Sequence, residues 1–450
     1  MSQKVKWPCT FPERWEVLPS KRLFPESKER AAEDEEQLSA TQDYGVIAQS
    51  EFMRLAGRRV VQLNRNLELR KRVEIGNFVI SMRSFQGGLE RAWASGGIRS
   101  SYVVLKPRED LDLGFYQKLF KSEDYIQTLQ STSNFIRDGQ DLNYQNFVLI
   151  DLPLPPISEQ RAIAAFLDYE TARIDALIAE QERLIALLKE KRQAVISHAV
   201  TKGCDPSVPM KDSGVEWIGE VPQHWKVIKL GLLASEKCDG PFGSALKSEH
   251  YSDEGVRVIR LQNIKAGWFN NSNSAFIDNE YYKQNINKSD VQEGDLLIAG
   301  LGDDNNPVGR ACVAPTDISP AMVKADCFRF RLLPDIAVPE FVADQLTVGS
   351  EADAGKLSTG STRSRIPLTL TSARSIALPP VPEQLAIVQF IKGMTKEVDV
   401  LLNESRTAVL LLQERRSALI SAAVTGKIDV RNWQPPTSTA STPTLEAVHH

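Results

Sequence analysis

Arg260, Gln262 and Asn263 close a β-type run, Gly255 to Ile264, where it enters a loop. A guanidinium can form paired hydrogen bonds to the edge of guanine, and a carboxamide can form them to adenine. Strand alternation puts Arg260 and Gln262 on one face, opposite Ile259 and Leu261. Lys247 follows a glycine turn, and Arg363 and Arg365 stand in a Gly/Ser/Thr loop with no acid nearby. In the first third of the chain, Arg83, Arg91 and Arg99 are the matching candidates by spacing. The chemistry these residues share is recognition of nucleic-acid bases. Contact with phosphate, or a place on a solvated surface, is the plainer use of any one of them.

Catalytic chemistry finds no comparable support. The Gly-x-x-x-x-Gly-Lys-Ser/Thr phosphate loop is absent. So is the Asn- or Asp-Pro-Pro-aromatic loop expected of a DNA aminomethyltransferase; the nearest string, Asp304-Asn305-Asn306-Pro307-Val308, lacks the second proline and the aromatic. His198, His224 and His250 have no metal-ligand spacing. The five cysteines are scattered, with no Cys-x-x-Cys pair, so neither a disulfide framework nor a zinc site is expected and a reducing cytoplasm fits best. No run approaches the length of an apolar membrane span, so a soluble chain with no membrane contact is expected. A net charge of −4 argues against a protein that coats nucleic acid with its whole surface, yet leaves room for local basic faces.

The elements that must position these side chains are marked by a repeat. Residues 154–205 begin Leu-Pro-Pro-Ile-Ser-Glu-Gln, and residues 378–429 begin Leu-Pro-Pro-Val-Pro-Glu-Gln. A shift of 224 positions superposes the two without a gap, with 23 identities in 52 positions. Those identities include Phe166/Phe390 and the polar pairs Glu159/Glu383, Gln160/Gln384, Asp175/Asp399 and Arg192/Arg416, which a shared period alone would not keep in register. Each copy reads as a helix of roughly 60 Å that starts after the paired prolines and stops at Gly203 or Gly426. Ile163, Leu167, Ile174, Leu177, Leu184, Leu188 and Val195 read as an a/d seam, matched by Ile387, Ile391, Val398, Leu401, Ala408, Leu412 and Leu419. Gln181/Ser405 and Lys191/Arg415 are polar interruptions at matched places on it. The cheapest partner for each helix is its own repeat.

The parts between the helices also echo each other. Pro12-x-x-Trp15-x-Val17 has the spacing of Pro222-x-x-Trp225-x-Val227, Gly294 to Ile298 resembles Gly76 to Ile80, and Arg310 before an apolar run is similar to Arg91. Short strands broken by turns, with a helix over Leu111–Leu129, suggest compact α+β domains. The basic run between Arg54 and Arg72 reads as a solvated face. The expected organisation is a domain over 8–153, a helix within 154–205, a domain over 206–377, a helix within 378–432, and a Pro/Ser/Thr-rich disordered tail over 433–450.

At this point a family resemblance becomes specific. The two Pro-Pro-x-x-Glu-Gln helix starts, each closing a globular domain, resemble those of the specificity subunits of type I restriction-modification enzymes. So do Asp212-Ser213-Gly214-Val215-Glu216-Trp217-Ile218-Gly219-Glu220-Val221-Pro222, the run Asp239 to Lys247, the run Gly255 to Ile264, and Thr359 to Arg363. The likeness is weaker over 8–152, which has no Gly-Pro-Phe-Gly run. The resemblance implies a non-catalytic reader of double-stranded DNA: two target recognition domains, each reading half of a split sequence, joined by two helices in an intramolecular antiparallel coiled coil. It implies partners too, modification subunits that methylate adenine with S-adenosylmethionine and motor-nuclease subunits that use ATP and magnesium. A methyltransferase in its own right, or a coiled-coil scaffold with unrelated binding modules, are the other readings.

Overall fold

A computed structural model describes residues 4–57, 59–60, 67–132, 143–357 and 364–435, the side chains of Ser244 and Glu351 excepted. The chain forms two compact units, Met1–Glu182 with Thr407–His450 and Arg183–Arg406. Two helices, Ile157–Lys202 and Val381–Val424, each contribute one part to each unit.

Both units are built on the same plan. Trp15 donates its backbone N–H to Pro12, and Trp225 does so to Pro222, at 2.9 Å in each case. The strand that follows, Glu16–Pro19 or Lys226–Lys229, pairs antiparallel with the strand leading into the unit's long helix, Asp151–Leu154 or Ser375–Leu378. Each unit then has an antiparallel four-stranded sheet. In the first its order is Glu26–Ser27, Val103–Leu105, Phe78–Ile80, Glu90–Arg91. In the second it is Ala234–Asp239, Cys327–Leu332, Leu296–Ala299, Ala311–Val313. The second unit adds a five-stranded mixed sheet that contains Val256–Ile259 and Ala321–Val323.

Gly76 and Gly294 enter equivalent strands through left-handed turns, φ +91° and +81°, as their matched sequences suggest. Arg310 and Arg91 are not equivalent. Phe78 faces Arg91 and Leu296 faces Val313, so the counterpart of Arg91 is Val313, and Arg310 lies before the strand opposite Ala299. The helix expected over Leu111–Leu129 is two, Leu113–Lys121 and Glu123–Gln130. Ser122 ends the first by donating to the Leu119 carbonyl and caps the second by accepting from Tyr125 N–H.

The long helices pack antiparallel. In the second unit Arg192 donates to Asp399 at 3.0 Å, and in the first Arg416 donates to Asp175 at 2.7 Å. The 224-residue shift that relates the two sequence copies converts one pair into the other. The same antiparallel ion pair is thus made once in each unit.

The packing also corrects the seam. Leu177, Leu184 and Leu401 are exposed, and the inward positions lie one residue later, at Ile178, Ile185 and Leu402. The working series is Leu167, Thr171, Ile174, Ile178, Gln181, Ile185, Leu188, Arg192 and Val195, in alternating steps of four and three. Its counterpart runs Ile391, Thr395, Val398, Leu402, Ser405, Val409, Leu412, Arg416 and Leu419. Lys191 and Arg415 are therefore outside it, and Arg192 and Arg416 take their place. The cause is plain: 177–178, 184–185 and 401–402 are apolar pairs, and only a partner surface decides which member turns inward.

Each unit's core includes both helices. In the first, Phe24, Phe78, Tyr116 and Phe120 pack with Ile163 and Leu167 of one helix and Ile420, Ala423 and Val424 of the other. In the second, Trp225, Phe328, Phe330 and Phe341 pack with Ile387 and Ile391, and with Ile196, Ala199 and Val200. The repeated Glu-Gln dipeptide makes the joint. Gln160 donates to the Pro155 carbonyl and accepts from Asp112 N–H; Gln384 donates to the Pro379 and Ile336 carbonyls and accepts from Val338 N–H. Glu159 accepts from Arg14, and Glu383 from Trp225 and from His224.

Gly203 and Gly426 end the helices at φ +77° and +76°, against Trp225 and Trp15 respectively. Within the segment expected to be disordered, Trp433 packs on Phe166 and Tyr169, and residues 436–450 lie outside the described residues.

Leu188 is buried against Val398 and Leu402, so Leu188→Ala should cost roughly 2–5 kcal/mol. Arg192→Ala, which removes a half-exposed ion pair, should cost at most about 1 kcal/mol. Denaturation of the two variants, followed by circular dichroism, should rank them in that order.

Candidate nucleic-acid interface

The two units carry clefts at the same end of their equivalent sheets. Each is bounded by the residues that leave the third strand and those that enter the second and fourth.

In the second unit the cleft measures about 500 Å³ and is lined by Arg260, Gln262, Lys265, Arg310 and Lys324, with Asp303 as the single acid. Arg310 organises it. Its guanidinium is buried, and it donates to the carbonyls of Leu261, Ile264, Leu301, Asn306 and Pro307. One side chain thus ties the loop after Ile259 to the loop after Ala299. Burial lowers its pKa from the usual guanidinium value. Lys265 donates to Asn306 at 3.0 Å, and Lys324 to the Tyr251 hydroxyl at 3.2 Å. The result is a cationic floor with pre-set geometry and an open mouth.

The candidates read from sequence separate clearly. Arg260 and Gln262 both line this cleft. They do so from a turn rather than a strand, because the strand ends at Ile259 and Asn263 N–H donates back to the Arg260 carbonyl. The expected strand alternation therefore does not operate. Asn263 is buried, and its carboxamide is used internally: it accepts from Arg260 N–H and donates to the carbonyls of Asn270 and Ser272. It shapes the loop that presents its neighbours.

Arg365 stands on a short strand paired with Leu301–Gly302 and donates to Asp326 at 2.8 Å, beside the cleft's Lys324–Ala325 wall. Lys247 is exposed, outside the cleft lining, and 3.5 Å from Glu249. Arg363 lies outside the described residues.

The first unit's cleft, about 650 Å³, is more polar and less charged. It brings Arg83 and Arg99 together with Gln37, Gln42, Gln49, Gln86 and Tyr102, against Asp43 and Glu90. Arg91 is not part of it. It lies across Trp93 and donates to Gln117, on the helix Leu113–Lys121. Strand register explains this, since Arg91 and Glu90 alternate and only Glu90 turns toward the cleft. The basic run is also divided. Arg70 is buried and donates to the carbonyls of Ala32, Glu33, Glu35 and Leu67, whereas Arg54 and Arg72 are exposed, and residues 58 and 61–66 lie outside the described residues.

Three cleft residues of the second unit escaped the sequence reading: Lys265, Lys324 and, as organiser, Arg310. Lys265 follows directly on the Gly255 to Ile264 run, a signal that was available. Lys324 and Arg310 are brought there only by sheet pairing.

No family model matches the chain. Individual proteins do. It is 25% identical over 340 residues to the type I restriction enzyme EcoKI specificity subunit of Escherichia coli K12, covering 74% of this chain and 68% of that one. It is 24% identical over 347 residues to the MjaVIII specificity subunit of Methanocaldococcus jannaschii, covering 75% of each. The fold matches a chain from a structure of the assembly and conformational transition of the type I R-M system, with a TM-score of 0.65 and 15% identity, covering 94% of this chain and all of that one. It also matches the HsdS subunit from Thermoanaerobacter tengcongensis, with a TM-score of 0.50 and 16% identity, covering 95% of this chain and all of that one. The chain is similar to type I restriction enzyme specificity subunits, in sequence over about three quarters of its length and in fold over nearly all of it.

Glu90 lines the first cleft and is buried. Burial raises its carboxyl to about 7, while Lys121, 2.6 Å away, pulls it down. A carboxyl raised on folding contributes stability that is full below the unfolded value and is lost as pH rises toward 7. Glu90→Gln should therefore lose less stability than the unmodified chain between about pH 4.5 and about pH 8. Thermal melting across that range is the measurement.

Proposed function

We propose that this chain is a specificity subunit and that each of its units reads one half of a split sequence in double-stranded DNA through its cleft. The observation that carries this reading is the pair of clefts at equivalent positions in a fold written twice. Two-fold protein symmetry places matching readers on separate half-sites of a duplex. The cleft chemistry supports it: fixed cations hold the phosphate backbone, and Arg260 and Gln262 in the second unit, with Arg83 and Arg99 in the first, have the donors and acceptors for base edges.

The same reading makes the chain the non-catalytic member of a larger cytoplasmic enzyme. Modification subunits would supply adenine methylation with S-adenosylmethionine, and motor-nuclease subunits would supply ATP- and magnesium-dependent restriction. Among the described residues no helix is long and apolar enough to cross a membrane. The helix pair, shared by both units, would set the gap between half-sites.

Three outcomes test these proposals. The purified chain should show no methyl transfer, nuclease or ATPase activity until modification subunits are added; methyl transfer by the chain alone would overturn the non-catalytic role. Exchange of residues 212–377 for the same region of a relative should change one half of the methylated sequence and leave the other half and the gap intact, as read by methylome sequencing. An insertion of four residues after Leu188 adds roughly 6 Å of helix, close to two base-pair steps. It should lengthen the gap and keep both halves, and full-rate methylation at the old spacing would show that the helices are not the ruler.

A further inference from the structure

Phe242 is 49% exposed in the Asp239-Gly240-Pro241-Phe242-Gly243 loop of the second unit. It is held there firmly. A Cβ on Gly240 would lie 2.2 Å from the Val323 carbonyl oxygen and from the Lys324 backbone, so this backbone approach is open only to glycine. Asp239 accepts from Asp326 N–H at 2.9 Å, and Asp326 in turn accepts from Arg365 at 2.8 Å. The Arg365 guanidinium lies over the Phe242 ring, 5.5 Å from its centroid. The turn that anchors all three contacts, Lys324 to Asp326, continues the Lys324–Ala325 wall of the cationic cleft.

We propose that Phe242 is a wedge that this chain presses into the base stack of duplex DNA, next to the half-site its second cleft reads. The proposal rests on the DNA-reading function above. A large ring left half in water gives up burial free energy, and its support by two ion-paired or hydrogen-bonded layers keeps it from folding back. The cleft beside it is lined mainly by polar and charged groups, and its cations draw the phosphate backbone alongside. Duplex DNA offers an apolar ring its largest matching surface, the faces of the bases, where adjacent base pairs part, which is how apolar wedges bend and unstack DNA; a thymine methyl in the intact groove offers far less. Arg365 is then a positioning residue, with its cation spent on the ring and on Asp326 rather than on a base edge.

The test uses the full chain assembled with its modification subunits. The probe is a duplex carrying the sequence methylated in cells that express the chain, with 2-aminopurine placed at successive positions of the second unit's half-site. Binding should raise the fluorescence at one step. Phe242→Ala should abolish that rise and weaken binding roughly tenfold, with the salt dependence of binding unchanged because no phosphate contact is lost. Phe242→Leu, which keeps an apolar wedge, should retain most of the rise. Absence of any rise, or the same rise and affinity in Phe242→Ala, overturns the proposal. The double variant Arg260→Ala with Lys265→Ala separates the two levels. If it binds duplex normally, the cleft reading itself fails; if it loses binding while Phe242→Ala does not, the wedge alone fails.

Discussion

A helix of 46 residues with one apolar stripe must cover that stripe to stay in water. Here the cover is the chain's own second copy. The antiparallel arrangement lets one set of contacts serve twice, once in each unit. Arg192 with Asp399 and Arg416 with Asp175 are the same interaction at two places. Both pairs are partly exposed, so they add little to stability. Their value is in register and direction, since a parallel pairing or a slipped one would leave each guanidinium without its carboxylate.

The same economy governs the joints. Gln160 and Gln384 are buried carboxamides whose donors and acceptors are matched to backbone groups on both sides of the helix start. An unsatisfied amide there would cost free energy, so the orientation of helix and domain is fixed by hydrogen-bond accounting as much as by apolar packing. The carboxylates beside them have diverged in partner. Glu159 meets Arg14, while Glu383 meets His224 and Trp225. The joint is thus retained in form while the chemistry of its partner is free to change.

The clefts show the same division between frame and content. Equivalent strands place both, yet the second is strongly cationic and built around the buried Arg310, and the first is rich in carboxamides and carries the buried Glu90, paired with Lys121. A scaffold of repeated strands can hold either set, because the lining comes from loops and strand ends. Core packing constrains the strands and leaves those positions free.

The sequence by itself determined the duplication, the two long helices, their start and stop points, and the echo of Trp15 in Trp225. These follow from short-range rules: proline geometry, glycine stops and polar residues kept in register. It also placed Arg260, Gln262, Arg83 and Arg99 among the candidates. Tertiary structure decided the rest. Which member of Leu177–Ile178 or Leu184–Ile185 turns inward depends on the partner helix, since a single helix offers two adjacent apolar choices. Whether Asn263 reads a base or ties a loop depends on Asn270 and Ser272 folding back over it. Whether Arg91 or Arg83 faces the cleft depends on strand register, which shifts a side chain to the opposite face with a slip of one residue. Each of these is set by a surface brought from elsewhere in the chain, and no local pattern carries that information.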